Sequence, residues 1–216
     1  VPQNLHATND LLLLPSVLSE KATRSLLLDI AKAGKRLVAV GERGHIVYSE
    51  DNGETWKQVI SPTSVTLTAV TFPSPEKGWA VGNDGVVLHT DNGGMSWTVQ
   101  LNGFEQNKLN EAHARKLLSA RQTQVHSTAK VEEAPTDLED LRYRYERFDT
   151  ALKEKVCCDP LLDVWFKNDR EGFVIGAYGL FFYTSDGGKS WTPWWDRIDN
   201  PENLHLNAFA GTDSTL

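Results

Sequence analysis

Two adjacent cysteines, Cys157 and Cys158, are the residues of this sequence most suited to redox or metal chemistry. Thiolates that hold zinc come with a second ligand pair at short spacing, and none follows here, because the six histidines are scattered. Neighbouring residues close a disulfide only through a strained ring. The pair therefore reads as two small residues entering a strand, and neither a metal nor a cofactor is expected. The remaining groups with chemical capacity recur instead of converging. Asp51, Asn92 and Asp186 each follow a hydroxyl side chain (Ser49, Thr90, Thr184) by two residues. Each precedes a glycine (Gly53, Gly94, Gly188) by two and a tryptophan (Trp56, Trp97, Trp191) by five. A carboxylate or amide so placed accepts from the backbone amides ahead of it, as in an Asx turn. The glycine supplies positive φ, the hydroxyl ties the hairpin ends, and the indole covers the turn and offers an N–H. This is the chemistry of a hairpin lock.

The locks close three segments that align without a gap: LVAVGERGHIVYSEDNGETWKQV from Leu37, GWAVGNDGVVLHTDNGGMSWTVQ from Gly78 and GFVIGAYGLFFYTSDGGKSWTPW from Gly172. Each reads as an apolar strand, a Gly-x-x-Gly turn, a second strand and the polar turn. Trp56 and Trp97 lie 41 residues apart, as do Gly41 and Gly82. A period of about 40–45 residues with four short strands per unit marks a propeller blade. Residues 25–31, 66–72 and 162–166 supply the first strands, and the fourth starts at the lock tryptophan. The fold class is all-β: a propeller with blade one at 25–60, blade two at 66–101, blade three at 161–195 and the start of a fourth at 204–216. Fewer than four blades cannot close a ring, so the remainder is expected on a missing or separate C-terminal segment. The chain begins Val1-Pro2 rather than with Met, which fits a removed signal peptide.

The three turns resemble the Asp-box (bacterial neuraminidase) repeat. The run SLLLDIAKAGKRLVAVGERGHIVYSEDNGETW resembles the photosystem II stability and assembly factor family, and in particular its relatives in non-photosynthetic Gram-negative bacteria. The resemblance covers roughly three quarters of the chain. It implies a seven-bladed propeller of an exported, periplasmic or lumenal compartment that holds other proteins, with a membrane export complex among the partners.

Between blades two and three stand 53 extra residues, 103–155, with 10 acidic and 10 basic side chains. Thr136-x-x-Glu139 after Pro135 has the form of a capping box. Leu138, Leu141, Tyr145, Phe148 and Leu152 follow at heptad spacing. A helical hairpin projecting from the blades is expected, either as decoration or as a docking arm running from Glu105 to Lys155. Strand alternation puts it on the side of the Gly-x-x-Gly turns, opposite the locks. Candidate partner-binding residues on that side are Glu42, Arg43, Asn83, Asp84 and Tyr178.

A net charge of −7 and a pI near 5.4 argue against nucleic acid or an anionic membrane as partner. No apolar run reaches the roughly 18 residues that span a bilayer. The function expected is a non-catalytic scaffold that binds protein. The alternatives are a sialidase-like glycoside hydrolase, which needs a tyrosine–carboxylate pair and several arginines, and a propeller that carries a small ligand or lipid. Arg24, Arg36, Arg43, Arg170, Arg197, Tyr48, Tyr178 and Tyr183 are available to the first of these. Tyr48 and Tyr183 adjoin the locks, away from the Gly-x-x-Gly face, and the sequence offers no distinct carboxylate pair.

Overall fold

The computed structural model describes residues 11–127, 136–156 and 158–210, apart from the side chains of 125–127, 136 and 137. Blade one comprises β1 (Leu27–Ala33), β2 (Arg36–Gly41), β3 (Ile46–Ser49) and β4 (Lys57–Val59). Blade two comprises β5 (Leu67–Thr71), β6 (Gly78–Gly82), β7 (Val87–Thr90) and β8 (Thr98–Leu101). Helices α1 (Gly103–Ser127) and α2 (Thr136–Glu154) follow. Blade three is β9 (Leu161–Phe166), β10 (Gly172–Gly176), β11 (Phe181–Thr184) and β12 (Thr192–Pro193). Each blade is an antiparallel meander in chain order. The protein is thus an all-β propeller segment with a helical hairpin inserted. The fourth strands begin one residue after the lock tryptophans rather than on them.

The strand sequences alternate, but both faces are apolar, so each sheet needs a neighbour on either side. Val38, Val40, Ile46 and Tyr48 of blade one bury against Leu67, Val70, Ala80, Leu88 and Trp97 of blade two. The opposite face of blade two, with Trp79, Val81 and Val87, buries against Val164, Phe166, Val174 and Phe182 of blade three. Trp79 and Phe166 stack with centroids 3.6 Å apart. Fully buried aliphatic or phenyl side chains such as Val40, Ile46, Leu88 and Phe182 contribute about 1.5–3 kcal/mol each.

Polar ties recur between blades. Asp29 Oδ2 accepts the Val70 N–H (2.8 Å), and Asp163 Oδ2 accepts the Phe209 N–H (2.7 Å). Arg36 donates to the Gly93 carbonyl (2.7 Å), and Gln100 donates to the Gly187 carbonyl (3.0 Å). A side chain of one blade therefore holds the lock backbone of the next.

Residues 204–210, expected as the first strand of a fourth blade, form no ladder in the structure. They nonetheless lie where that strand belongs. Leu206 N–H donates to the Gly176 carbonyl (3.0 Å), and Phe209 takes the place at Asp163 that Val70 takes at Asp29. The rest of the expected fourth-blade start, 211–216, lies outside the described residues, as do Val1, Pro2 and Pro135. At the other end of the stack, residues 11–25 run along β4. Ser16 N–H donates to the Ser61 carbonyl (3.0 Å), and Ala22 covers Ala39 and Val47.

Two expectations for the insertion change. The heptad stripe does not serve the hairpin alone: Phe148 is 2% exposed and belongs to the core between blades two and three. The arm is seated on the blades and does not project freely. Cys158 is disulfide-bonded rather than a small residue entering a strand, while Cys157 lies outside the described residues. Among the described residues no helix is long and apolar enough to cross a membrane.

Two histidines occupy core positions. His45, 5% exposed, stands where blades two and three have Val86 and Leu180, and its Nδ1 has no hydrogen-bond partner. Burial lowers its pKa, which Glu42 raises and Arg43 lowers further. His89 packs on Trp79 and is likewise lowered by burial, with Asp91 opposing. A base with a depressed folded pKa binds fewer protons folded than unfolded. Stability is therefore complete above 6.5, the ordinary value, and falls as pH drops through it. The urea midpoint should be lower at pH 5.5 than at pH 7.5, and His45→Val should reduce that difference.

Candidate partner-binding face

The turns joining the second and third strands share one geometry. Each is a single 3-10 turn, at Glu42–Gly44, Asn83–Gly85 and Ala177–Gly179. The first amide of each turn donates to the carbonyl before the neighbouring first strand: Glu42 to Leu26, Asn83 to Thr66 and Ala177 to Pro160, at 2.9–3.0 Å. That approach explains the leading glycine, since a Cβ at Gly41, Gly82 or Gly176 would lie 2.0–2.3 Å from the same carbonyl oxygen. The middle residue is left-handed each time, Arg43 at φ 56°, Asp84 at 55° and Tyr178 at 53°. Side chains larger than glycine rarely adopt this region. Arg43, Asn83 and Tyr178 are exposed, and Glu42 is half-buried with its carboxylate accepting the Leu26 N–H.

The locks lie at the other end of each sheet. Asp51 accepts the Thr55 N–H (2.8 Å), Asn92 the Ser96 N–H (3.0 Å) and Asp186 the Ser190 N–H (2.9 Å). The Thr55 hydroxyl also donates to Asp51, and chiefly for that reason the Asp51 pKa falls to about 2. The hydroxyls of Ser49, Thr90 and Thr184 donate to these groups and accept the amides of Gly53, Gly94 and Gly188. Trp56 and Trp97 donate to the carbonyls of Gly53 and Gly94, whereas the buried Trp191 Nε1 has no hydrogen-bond partner. Apart from the Trp191 indole, the side-chain polar groups of the motif are thus engaged within their own turns.

The arm meets the Gly-x-x-Gly side. Its first helix buries a polar face of Gln106, Asn107, Asn110 and Glu111, together with Ala114. Gln106 donates to the Gly85 carbonyl (2.7 Å), which places α1 on the turn bearing Asn83 and Asp84. Asn110 accepts from the indole of Trp195 (3.1 Å), and His113 bonds Asp196 (2.8 Å). From α2, Arg144 lies over Trp195 at 4.5 Å, while Arg147 pairs with Asp159 and lies over Tyr178 at 4.7 Å. His205 covers another side of Tyr178 at 4.8 Å. A groove of about 500 Å³ runs between the helices and the chain after Trp195, lined by Leu117, Leu141, Arg144, Ile198 and Pro201.

The structure therefore brings Tyr178 and the Asn83–Gly85 turn together with the arm. Sequence reasoning named the arm from Glu105 to Lys155 as a whole without singling out Gln106, Asn110 or Arg147, and it missed Trp195. Trp195 had a signal in the run Trp191-Thr-Pro-Trp194-Trp195, whereas a helix buried through Gln and Asn gives no apolar stripe. Among the described residues no group of His, Cys, Asp or Glu could hold a metal ion.

Three stacked four-stranded sheets, each closed by this lock, define a β-propeller built from Asp-box blades. Residues 182–193 match the BNR/Asp-box repeat, and residues 18–111 match the model of the Photosynthesis system II assembly factor YCF48. An 88-residue stretch is 35% identical to the chloroplastic photosystem II stability/assembly factor HCF136 of Cyanidioschyzon merolae, covering 38% of this chain and 20% of that protein. A 65-residue stretch is 34% identical to the photosystem II assembly lipoprotein Ycf48 of a Synechocystis species, covering 29% and 19%. A solved structure of YCF48 bound to D1 peptide is similar at 18% identity and a TM-score of 0.46, over 77% of this chain and 39% of that one. This is a BNR-repeat chain that resembles the photosystem II assembly factors, and it spans about a fifth of the length of the curated relatives it matches.

The lock geometry carries its own expectation. Thr184→Val leaves the amides of Asp186 and Gly188 without their acceptor. It should lower the unfolding free energy by about 1–3 kcal/mol, measured by urea denaturation, with Thr184→Ser close to the parent.

Proposed function

We propose that this chain is a non-catalytic scaffold that binds a protein partner across the face made by the Gly-x-x-Gly turns and the arm. The observation that carries this reading is the seating of the arm on two of those turns, through Gln106 at Gly85 and Arg147 over Tyr178. Together they make one continuous surface beside an open, largely apolar groove. The three left-handed tips carry unlike side chains, Arg43, Asp84 and Tyr178, on one backbone frame. The lock face has a cavity of about 630 Å³ lined by Arg36, Glu50, Asp91 and Asn92, but the arm does not reach it and the Asn92 side chain on its wall is engaged within its own turn. The names of the matched relatives, assembly factors in one case and a D1-peptide complex in another, support the same reading. Chloroplastic and lipoprotein relatives support an exported or lumenal compartment, with the periplasm as the bacterial equivalent. A membrane export complex is the partner class we infer from the resemblance to Gram-negative relatives.

The glycosidase alternative has one point of contact. The Tyr183 hydroxyl reaches Glu171 Oε1 at 3.4 Å. Burial and the Glu171 charge both raise the Tyr183 pKa, which opposes activation as a nucleophile.

Site-specific photocrosslinking in the native host tests the face. A crosslinker at Leu141 or Tyr178 should trap one partner of defined mass, and a crosslinker at Met95, in the lock of blade two, should not. Tyr178→Ala should weaken capture by roughly tenfold. Trapping from Met95 but from neither Leu141 nor Tyr178 would place the partner on the wrong face and reject the proposal.

A further inference from the structure

The arm is longer than its seat. On α1, Gln106, Asn110 and His113 hold the blades, and Leu117, Arg121 and Gln124 continue the same stripe at helical spacing. On α2, Leu141 and Arg144 lie toward the tip, while Phe148, on the same stripe, is sunk between blades two and three. The face that seats the arm therefore runs on past the blades. There it lines the groove of about 500 Å³, whose third wall is the chain from Trp195 to Pro201. Ala120, Gln124, Asp199 and Pro201 of this groove are exposed, and Leu117, Leu141 and Ile198 are half-buried. The arm interrupts the blade repeat, so the repeat itself supplies no strand for the groove.

Charge selects the occupant. The ten acidic and ten basic side chains of 103–155 cancel, so the net charge of −7 lies wholly outside the arm. Two copies meeting through their blades would bring like charge together, within the roughly 8 Å over which charges act at physiological salt. Two copies meeting through their arms would not. The groove itself carries both signs, Arg121 and Arg144 against Asp140, Asp196 and Asp199, around an apolar lining of Leu117, Leu141 and Ile198. Mixed sign suits self-complementary pairing, in which a two-fold axis sets the basic side of one copy against the acidic side of the other.

We propose that the groove is filled by the arm of a second copy of this chain. Two hairpins then pack side by side as four helices, with Leu117 and Leu141 of each copy at the centre. The proposal rests on the reading of the arm face as a docking surface and names the occupant of its groove. It leaves Tyr178 and the Gly-x-x-Gly turns to another protein.

Sedimentation equilibrium of the purified protein should show a reversible dimer, with a Kd on the order of 1–100 μM for an interface of small size. A photocrosslinker at Leu141 should yield a species of twice the protomer mass from purified protein alone, and one at Met95 should not. Ala120 is exposed and lies outside the core. Ala120→Glu and Ala120→Arg should both weaken the dimer by roughly tenfold or more at an unchanged melting temperature, because either side chain obstructs the groove. A protein that stays monomeric well above that concentration range overturns the proposal, as does a dimer undisturbed by both variants. A dimer weakened by Ala120→Glu but not by Ala120→Arg overturns it too, since that contact would follow net charge alone. Crosslinking in the native host separates this proposal from the scaffold reading. Capture of a different protein from Tyr178, with no doubled mass from Leu141, would reject the second copy and leave the scaffold standing. A dimer through Leu141 with no capture from Tyr178 would do the reverse.

Discussion

Strand β6 is buried residue by residue: Trp79 and Val81 turn toward blade three, Ala80 toward blade one, and all three are inaccessible to solvent. A sheet with two apolar faces has no stable existence alone, and that constraint organises the molecule. Each blade is a surface for the next, so stability grows by stacking rather than by any one sheet, as in other repeat architectures. The polar ties obey the same logic. Arg36 and Gln100 reach forward to the lock carbonyls of the following blade, and Asp29 reaches forward to a backbone amide. A lock is therefore both the closure of its own hairpin and a landing point for its neighbour.

The legible part of the fold is the part written in backbone requirements. The lock needs an acceptor, a hydroxyl and positive-φ glycines at fixed offsets, and the Gly-x-x-Gly turn needs a residue without Cβ where a carbonyl approaches within 2.0–2.3 Å of it. Few residue types satisfy either demand, so three copies in register carry strong information. The helical hairpin was legible from the heptad of α2, but its seat was not. Phe148 has the spacing of a residue facing α1, and spacing alone does not distinguish that from a residue facing blade three. The face of α1 was illegible for a different reason. Gln106, Asn107, Asn110 and Glu111 are polar residues used as a contact surface, and a search for apolar periodicity passes over them.

That polar face also explains how an insertion joins a propeller without competing with it. A turn that displays a carbonyl, such as Gly85, cannot be covered by an aliphatic side chain without stranding a hydrogen-bond acceptor. Gln106 covers it and satisfies it at once. Asn110 does the same for the indole of Trp195, whose N–H would otherwise be buried without an acceptor. The insertion is thus matched to the turns of blades two and three in particular, and its cohesion with them is directional rather than merely hydrophobic.

Repetition and variation separate along the height of each blade. At the lock end, residue types barely change between blades, because geometry and hydrogen bonding leave few solutions. At the Gly-x-x-Gly end the backbone is equally constant, with φ of 53–56° at the tip, yet the tip side chain is arginine, aspartate and tyrosine in turn. A constant backbone with a changing side chain is an arrangement for presenting different chemistry from one frame. On blade three that frame is covered by the arm, through Arg147 above Tyr178, and by His205 of the segment after the blade. The constant end makes the stack possible, and the variable end is where the chain has room to recognise something else.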